Sequence, residues 1–295
     1  MPIQHFLLAI MVVVLWGVNF IFVSIALTEI PPLLLCAIRF LITSVPAIFF
    51  FKLPREDFKM IAIYGLVMFA LQFSLLFIGM DAGMSAGMTS LIMQLQVFFS
   101  MFFAAILLGQ NPRGTEIIGA LISFSGIGIV AMHLDKNVTF LGFILILAAA
   151  ATWGIGNLIT KKLKKVNMIS LIVWSSFIAF FPMMLISMIF EGLNSAQLAY
   201  QNITWLGAFS VFYIVAGSTW IGYVTWNWLV RRHPVNLIVP FTLLVPIVGL
   251  LTSALFLGEK LYTWKIVSAV LVIGGLAFNI VGNKLLLRRA KLTAV

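Results

Sequence analysis

Two tryptophan and asparagine pairs have the spacing of a binding surface: Trp16 with Asn19, three residues apart, and Trp153 with Asn157, four apart. Either spacing puts both side chains on one face of a helix. An indole beside an amide offers hydrogen bonds and a π face to an amino or carboxylate group, but no nucleophile and no general base. Both pairs fall in the central turns of long apolar segments. There asparagine also bonds neighbouring helices, and tryptophan also packs or marks an interface. Recognition of a small polar molecule and simple helix adhesion are both open at this point.

Further candidates are of the same kind. Gln94 and Gln96 are accompanied by Thr89, Ser90 and Ser100. Residues two apart on an α-helix point in nearly opposite directions, so at most one of the two glutamines is expected to face a shared cavity. Gln72 has the same ambiguity between cavity and interhelical contact. Trp220 and Tyr223 are predicted to share a cavity-facing side of an aromatic stretch that also holds Trp226 and Trp228. Trp228, nearer the end of its segment, is assigned to the aromatic belt. Arg39 is the one charge well inside an apolar segment, and it is expected to snorkel toward the segment end or bond loop carbonyls rather than meet a ligand.

Catalytic chemistry is poorly supplied. His5, His133 and His233 map to segment ends, no two histidines have zinc-protease spacing, and no glycine-rich loop ends in Gly-Lys-Ser/Thr. Cys36 is alone, which excludes an intrachain disulfide and a cysteine metal cluster. Glu29, Glu56, Asp57, Asp81, Glu116, Asp135, Glu191 and Glu259 all map to loops or helix ends. A carboxylate at mid-depth, the usual relay of a proton-coupled carrier, is not expected. The chain is therefore read as a non-enzyme with no cofactor and no metal.

The elements that must position these residues follow from composition. The sequence is 63% hydrophobic and 9% charged over 295 residues, against about 25% charged for ordinary soluble domains. Apolar runs of the roughly 20 residues that span a bilayer recur along the chain, and lipid leaves helices as the way to satisfy their backbones. Helices are predicted near 6–26, 33–51, 60–80, 85–108, 115–132, 141–160, 168–189, 205–229, 235–257 and 264–286. The opening segment lacks a basic flank and a small-residue cleavage site, and is expected to remain as a membrane helix.

The net charge of +10 is distributed by side rather than in a nucleic-acid patch. With alternating spans, Lys52, Arg55, Lys59, Arg113, Lys161, Lys162, Lys164, Lys165, Arg231, Arg232 and the basic residues after 283 share one side. Lys136, Lys260 and Lys265 take the other. Positive residues favour the cytoplasm, so both termini are expected there. Membrane lipid and a small-molecule substrate are the partners implied, with no nucleic acid, and a monomer or weak homodimer is expected.

The chain also repeats itself. AAILLGQNPRGTEIIGALISFSGI from Ala104 aligns without gaps on SALFLGEKLYTWKIVSAVLVIGGL from Ser253, and Trp16-Gly17 with Asn19 resembles Trp153-Gly154 with Asn157. The fold class predicted is an all-α integral membrane protein of ten transmembrane helices in a 5+5 repeat, residues 1–136 and 137–295. Five is odd, so the second half enters the membrane inverted, the arrangement that supports alternating access. Small residues at Gly79, Gly83, Gly87, Ala148 to Ala151, Gly154 and Gly156 predict close helix approach. Pro46, Pro182, Pro240 and Pro246 predict kinks.

The segments VVVLWGVNF, AIRF, AGMTSLIMQLQVFF, LGFILILAAAATWGIGNLITKK and LLVPIVGLLTSALFLGEKL resemble the EamA-type carriers of the drug/metabolite transporter superfamily over nearly the whole chain. The glutamine pair and the LAAAATWGIGN run are similar to the bacterial amino-acid metabolite exporters within it. The resemblance implies a cavity lined by helices 1, 3, 4, 6, 8 and 9 and cargo of the cysteine and O-acetylserine class, in a bacterial inner membrane. Two departures stand out. Gln110 replaces a glutamate that the aligned Glu259 retains, where a loop-stabilising role is expected. Val97 lies opposite Pro246, which predicts a straighter fourth helix than ninth.

The expected function is export of small amino acids or related metabolites by alternating access. The alternatives are export of aromatic or drug-like compounds, and a non-transporting membrane scaffold or receptor.

Overall fold

The computed structural model describes residues 1–135, 138–163, 166–233 and 235–293. Lys136, Lys164 and Lys165, and with them the boundary placed between 136 and 137, lie outside the described residues. What is described is an all-α integral membrane protein. Among the described residues nine helices are long and apolar enough to cross a bilayer, with one shorter apolar helix among them. We label them α1 (Ile3–Leu27), α2 (Pro32–Ile48), α3 (Arg55–Asp81), α4 (Ala86–Leu108), α5 (Gly114–Met132), α6 (Phe140–Lys162), α7 (Met168–Phe190), α8 (Trp205–Val230), α9 (Val239–Phe256) and α10 (Thr263–Thr293).

Each expected helix overlaps an observed one. The second ends at Ile48 rather than at residue 51, two residues past Pro46. At 17 residues it is about 25 Å long, the shortest of the set. A helix the sequence does not announce, Ser195–Asn202, occupies the long connection between α7 and α8.

Carboxylates at span ends tie together helices that are not chain neighbours. Glu29, after α1, accepts from the Thr204 amide at 2.8 Å and its hydroxyl at 2.6 Å, at the start of α8. Glu191, after α7, accepts from the Leu33 and Leu34 amides of α2 at 2.6 and 2.9 Å, and from the Ser187 hydroxyl at 2.7 Å. Glu259, after α9, accepts from the Gly87 amide of α4 at 3.4 Å. The first-turn N–H groups of a helix have no partner within it, and its dipole favours an anion there, so each contact stabilises a helix start. The Glu259 contact goes to the first turn of α4 and not to its own loop.

Several spans are not regular α-helices. α3 winds as a π-helix over Gly65–Leu71 and α8 over Tyr213–Gly222. α4 tightens to a 3-10 turn at Met93–Leu95, and the start of α9 does the same over Val239–Leu244. The α9 irregularity holds Pro240 and abuts Pro246. The α4 turn contains no proline, and at three residues it is shorter than the six-residue stretch that opens α9. α7 continues unbroken through Pro182.

α5 and α10 pack closely, glycine against glycine. A Cβ on Gly119 would lie 2.6 Å from the Gly275 carbonyl oxygen. The Ser123 hydroxyl donates to the Val272 carbonyl at 3.0 Å, and Ser268 to that of Gly126 at 2.8 Å. Small residues that let backbones touch are how helices adhere where lipid removes the hydrophobic drive. Gly154 against Phe99 and Ser100, and Gly156 against Met68, bring α6 onto α4 and α3 in the same way.

Candidate functional site

A central cavity of about 120 Å³ lies among α1, α2, α3, α4, α6, α8 and α9. Its wall includes Trp16, Asn19, Gln94, Gln96, Trp153 and Tyr223 from the sequence candidates. Phe20, Arg39, Phe73, Leu76, Met93, Ser218, Thr242 and Val245 complete it. α2 joins the wall through Arg39 alone, which the resemblance did not imply. α5, α7 and α10 stay outside it.

Trp16 is fixed by α8. Its indole Nε1 donates to the Ser218 carbonyl at 3.1 Å, and its ring meets those of Tyr223 and Trp226 at centroid distances of 5.5 and 5.2 Å. The close approach depends on Gly222, where a Cβ would stand 2.5 Å from Nε1. Asn19, three residues on, is 8% exposed, and its Oδ1 has no hydrogen-bond partner. A buried carbonyl oxygen without a donor is costly in isolation, and a ligand N–H would supply one.

Gln94 and Gln96 both line the cavity, contrary to the expectation that only one could. The 3-10 turn at Met93–Leu95 explains it: at three residues per turn, positions two apart are separated by about 120° rather than about 160°. Gln96 is held from behind. Asn157 Nδ2 donates to Gln96 Oε1 at 2.6 Å and to the Ser100 hydroxyl at 2.9 Å. Asn157 thus stands behind the wall and not in it.

Two other candidates are absent from the wall. Gln72 is fully buried in α3 and neither amide atom finds a partner among the described residues. Trp220 lies off the cavity because α8 is π-helical there. In that winding residues five apart share a face, and the pair that lines the cavity is Ser218 with Tyr223. Trp228 is partly exposed beside His5 and Arg232, away from the cavity wall.

Arg39 does not snorkel. It is 4% exposed, its guanidinium lies 4.0 Å over the Phe73 ring, and its Nη2 donates to the Thr219 hydroxyl at 3.2 Å. The remaining Nη1 has no partner. The sequence signal was present, a lone arginine inside an apolar run. What the sequence could not give is that a ring from α3 and a hydroxyl from α8 would meet the charge where it is. Placing arginine at the centre of a span costs about 2.5–3.5 kcal/mol on insertion scales, which the buried hydrogen bond to Thr219 and the Phe73 ring offset in part.

The groups that meet at the cavity are ones that bind and orient. Every aspartate and glutamate of the chain sits in a loop or at a helix end, and the cavity wall carries a cation, amides, hydroxyls and rings. Among the described residues no group of three or more His, Cys, Asp or Glu side chains could hold a metal ion.

Known proteins extend this picture. The model of the EamA-like transporter family matches the chain twice, over residues 4–132 and 140–281. The "probable amino-acid metabolite efflux pump" of Salmonella typhimurium is 35% identical over 281 residues, covering 93% of this chain and 94% of its own. The protein of the same description from Escherichia coli is equally similar, at 35% over 281 residues. A "probable terminal-alkyne amino-acid exporter" of Streptantibioticus cattleyicolor is 26% identical over 195 residues, 65% of this chain and 60% of its own. A solved crystal structure superposes with a TM-score of 0.64 at 17% identity, covering 98% of this chain and 99% of the other, which is a likeness of fold.

Proposed function

Since this chain belongs to the EamA-like transporter family, we propose that it is a secondary transporter exporting small amino acids or related metabolites, of the cysteine and O-acetylserine class, by alternating access. It sits in a bacterial inner membrane with both termini in the cytoplasm, works as a monomer or weak homodimer, and is built as two inverted five-helix halves. One observation carries the reading. Trp16 and Trp153 occupy nearly the same place in the two segments that the family model matches, and both line the same cavity.

Other pairs support the same relation. Extending the gap-free alignment of the halves puts Met93 opposite Thr242 and Gln96 opposite Val245, and all four residues are in the wall. The π-helical turns fall in the third span of each half and the 3-10 turns in the fourth. A site built from equivalent positions of two halves can face either side of the membrane when the halves exchange conformations.

Cavity size favours small cargo. Sites that enclose drug-sized ligands run to about 300–1,000 Å³, and this one holds about 120 Å³. Flux of labelled cysteine, O-acetylserine and threonine into proteoliposomes tests the proposal. Saturable, protein-dependent movement of at least one is expected, and movement of none would discard the substrate class.

A further inference from the structure

Among the residues that line the cavity, Arg39 is the one charged side chain. We propose that its guanidinium is the carboxylate receptor of the cavity, so that the cargo must be a carboxylate and its esters and decarboxylated amines are refused. The inference rests on the reading of this cavity as a transport site, and it narrows what the site accepts.

Three observations converge on Arg39. Its side chain is more than nine-tenths buried, and Nη1 lacks a partner. The guanidinium is oriented on one face by the Phe73 ring and on one edge by the Thr219 hydroxyl. No carboxylate of the protein reaches it: all eight acidic residues are in loops or at span ends. A buried cation held in place with an unpaired donor and no aspartate or glutamate beside it has the planar fork that matches a carboxylate.

A role confined to fastening α2 to α8 does not account for these features. One hydrogen bond to Thr219 could be made by a neutral donor at no cost in buried charge, and it leaves Nη1 unexplained. The opposite needs of a ligand are met in the same wall. Asn19 Oδ1 is an acceptor without a donor, and the rings of Trp16 and Tyr223 offer π faces to a cation. An α-amino acid placed with its carboxylate on Arg39 and its ammonium toward Asn19 satisfies both ends. An amine without a carboxylate brings a second positive charge to the cavity and leaves Arg39 uncompensated.

The test uses four compounds that differ at one group each: cysteine, cysteine methyl ester, cysteamine and 3-mercaptopropionate. Binding to the purified full chain is followed by quenching of tryptophan fluorescence and by ligand-induced thermal stabilisation. Cysteine and 3-mercaptopropionate are expected to bind, with the ester and cysteamine weaker by at least about tenfold. In Arg39→Gln the acids should fall to the level of the ester, and Arg39→Lys should keep the acid preference in reduced form.

Equal binding of cysteine and its methyl ester by the wild-type chain would overturn the assignment, and it needs no variant to fold. So would a folded Arg39→Gln protein with an unchanged ratio of acid to ester, or failure of both acids to bind. The amino-acid reading fails separately. Binding of 3-mercaptopropionate without cysteine would sink that reading and leave the carboxylate receptor standing.

Discussion

The Asn157 side chain, behind the cavity wall on α6, donates at 2.6 Å to Oε1 of Gln96, which stands in the wall on α4. Asn157 also holds Ser100, and Gln96 is left with its Nε2 as the group it can offer inward. Asn157→Ala is expected to raise the concentration for half-maximal flux several-fold while leaving the protein inserted. A double-mutant cycle with Gln96→Ala should show a coupling of about 1 kcal/mol in thermal stability. Strict additivity would show that the two side chains act independently.

Trp16 depends on the space above Gly222. Gly222→Ala puts a methyl group against the indole and is expected to displace it, lowering flux about tenfold or more. Trp16→Phe keeps a ring but loses the bond to the Ser218 carbonyl, and its effect should be milder. Wild-type flux in a folded Gly222→Ala protein would remove Trp16 from the site.

Glu191 satisfies two amides at the start of α2, the shortest span. Glu191→Ala strips that cap and is expected to cost about 1–3 kcal/mol, seen as a fall in the melting temperature of the solubilised protein. Glu191→Gln should retain part of the loss, since it keeps an acceptor but not the charge. An unchanged melting temperature in both would show that water replaces the carboxylate fully.

His5 Nδ1 and His233 Nε2 stand 2.7 Å apart at the end of the bundle where α1 begins and α8 has ended. Desolvation lowers the affinity of His233 for a proton, and His5, the amino terminus and Arg232 add to it. The folded state therefore binds fewer protons than the unfolded one below the ordinary histidine range, and stability should rise with pH there. The melting temperature is expected to hold above about pH 6.5 and to fall as pH drops below it. His233→Gln should flatten that profile, and a variant with the wild-type profile would rule the pair out as its source.

Large cations should not compete. Ethidium at high concentration is expected to leave labelled amino-acid flux unaltered, because a cavity of about 120 Å³ cannot enclose it. Inhibition that cysteine relieves would mean that the cavity opens much further than this structure does.

The spans were legible because apolar length is a property of composition, and each predicted helix overlaps an observed one. Ser195–Asn202 was not, being short and polar enough to look like a loop. The cavity wall was legible where helices are regular: Trp16 and Asn19 on α1 share the face that the spacing requires. It was misread where the winding changes. Trp220 was placed by a 3.6-residue period in a segment that follows a longer one, and Gln94 was set against Gln96 in a segment that follows a shorter one. Neither change is marked by a residue type with that single meaning. Arg39 was misread for another reason: Thr219, which holds it, is 180 positions away in the chain.

Cys36, the only cysteine of the chain, lies one helical turn before Arg39 and is fully buried. A thiol sealed inside the bundle is slow to meet a maleimide or a spin label in the folded protein. Any cysteine introduced at an exposed position is then the one that reacts, without first making a cysteine-free background. Pairs of such positions on the two ends of α1 and α8 could report distances between the halves directly, with the native thiol silent beside the cavity.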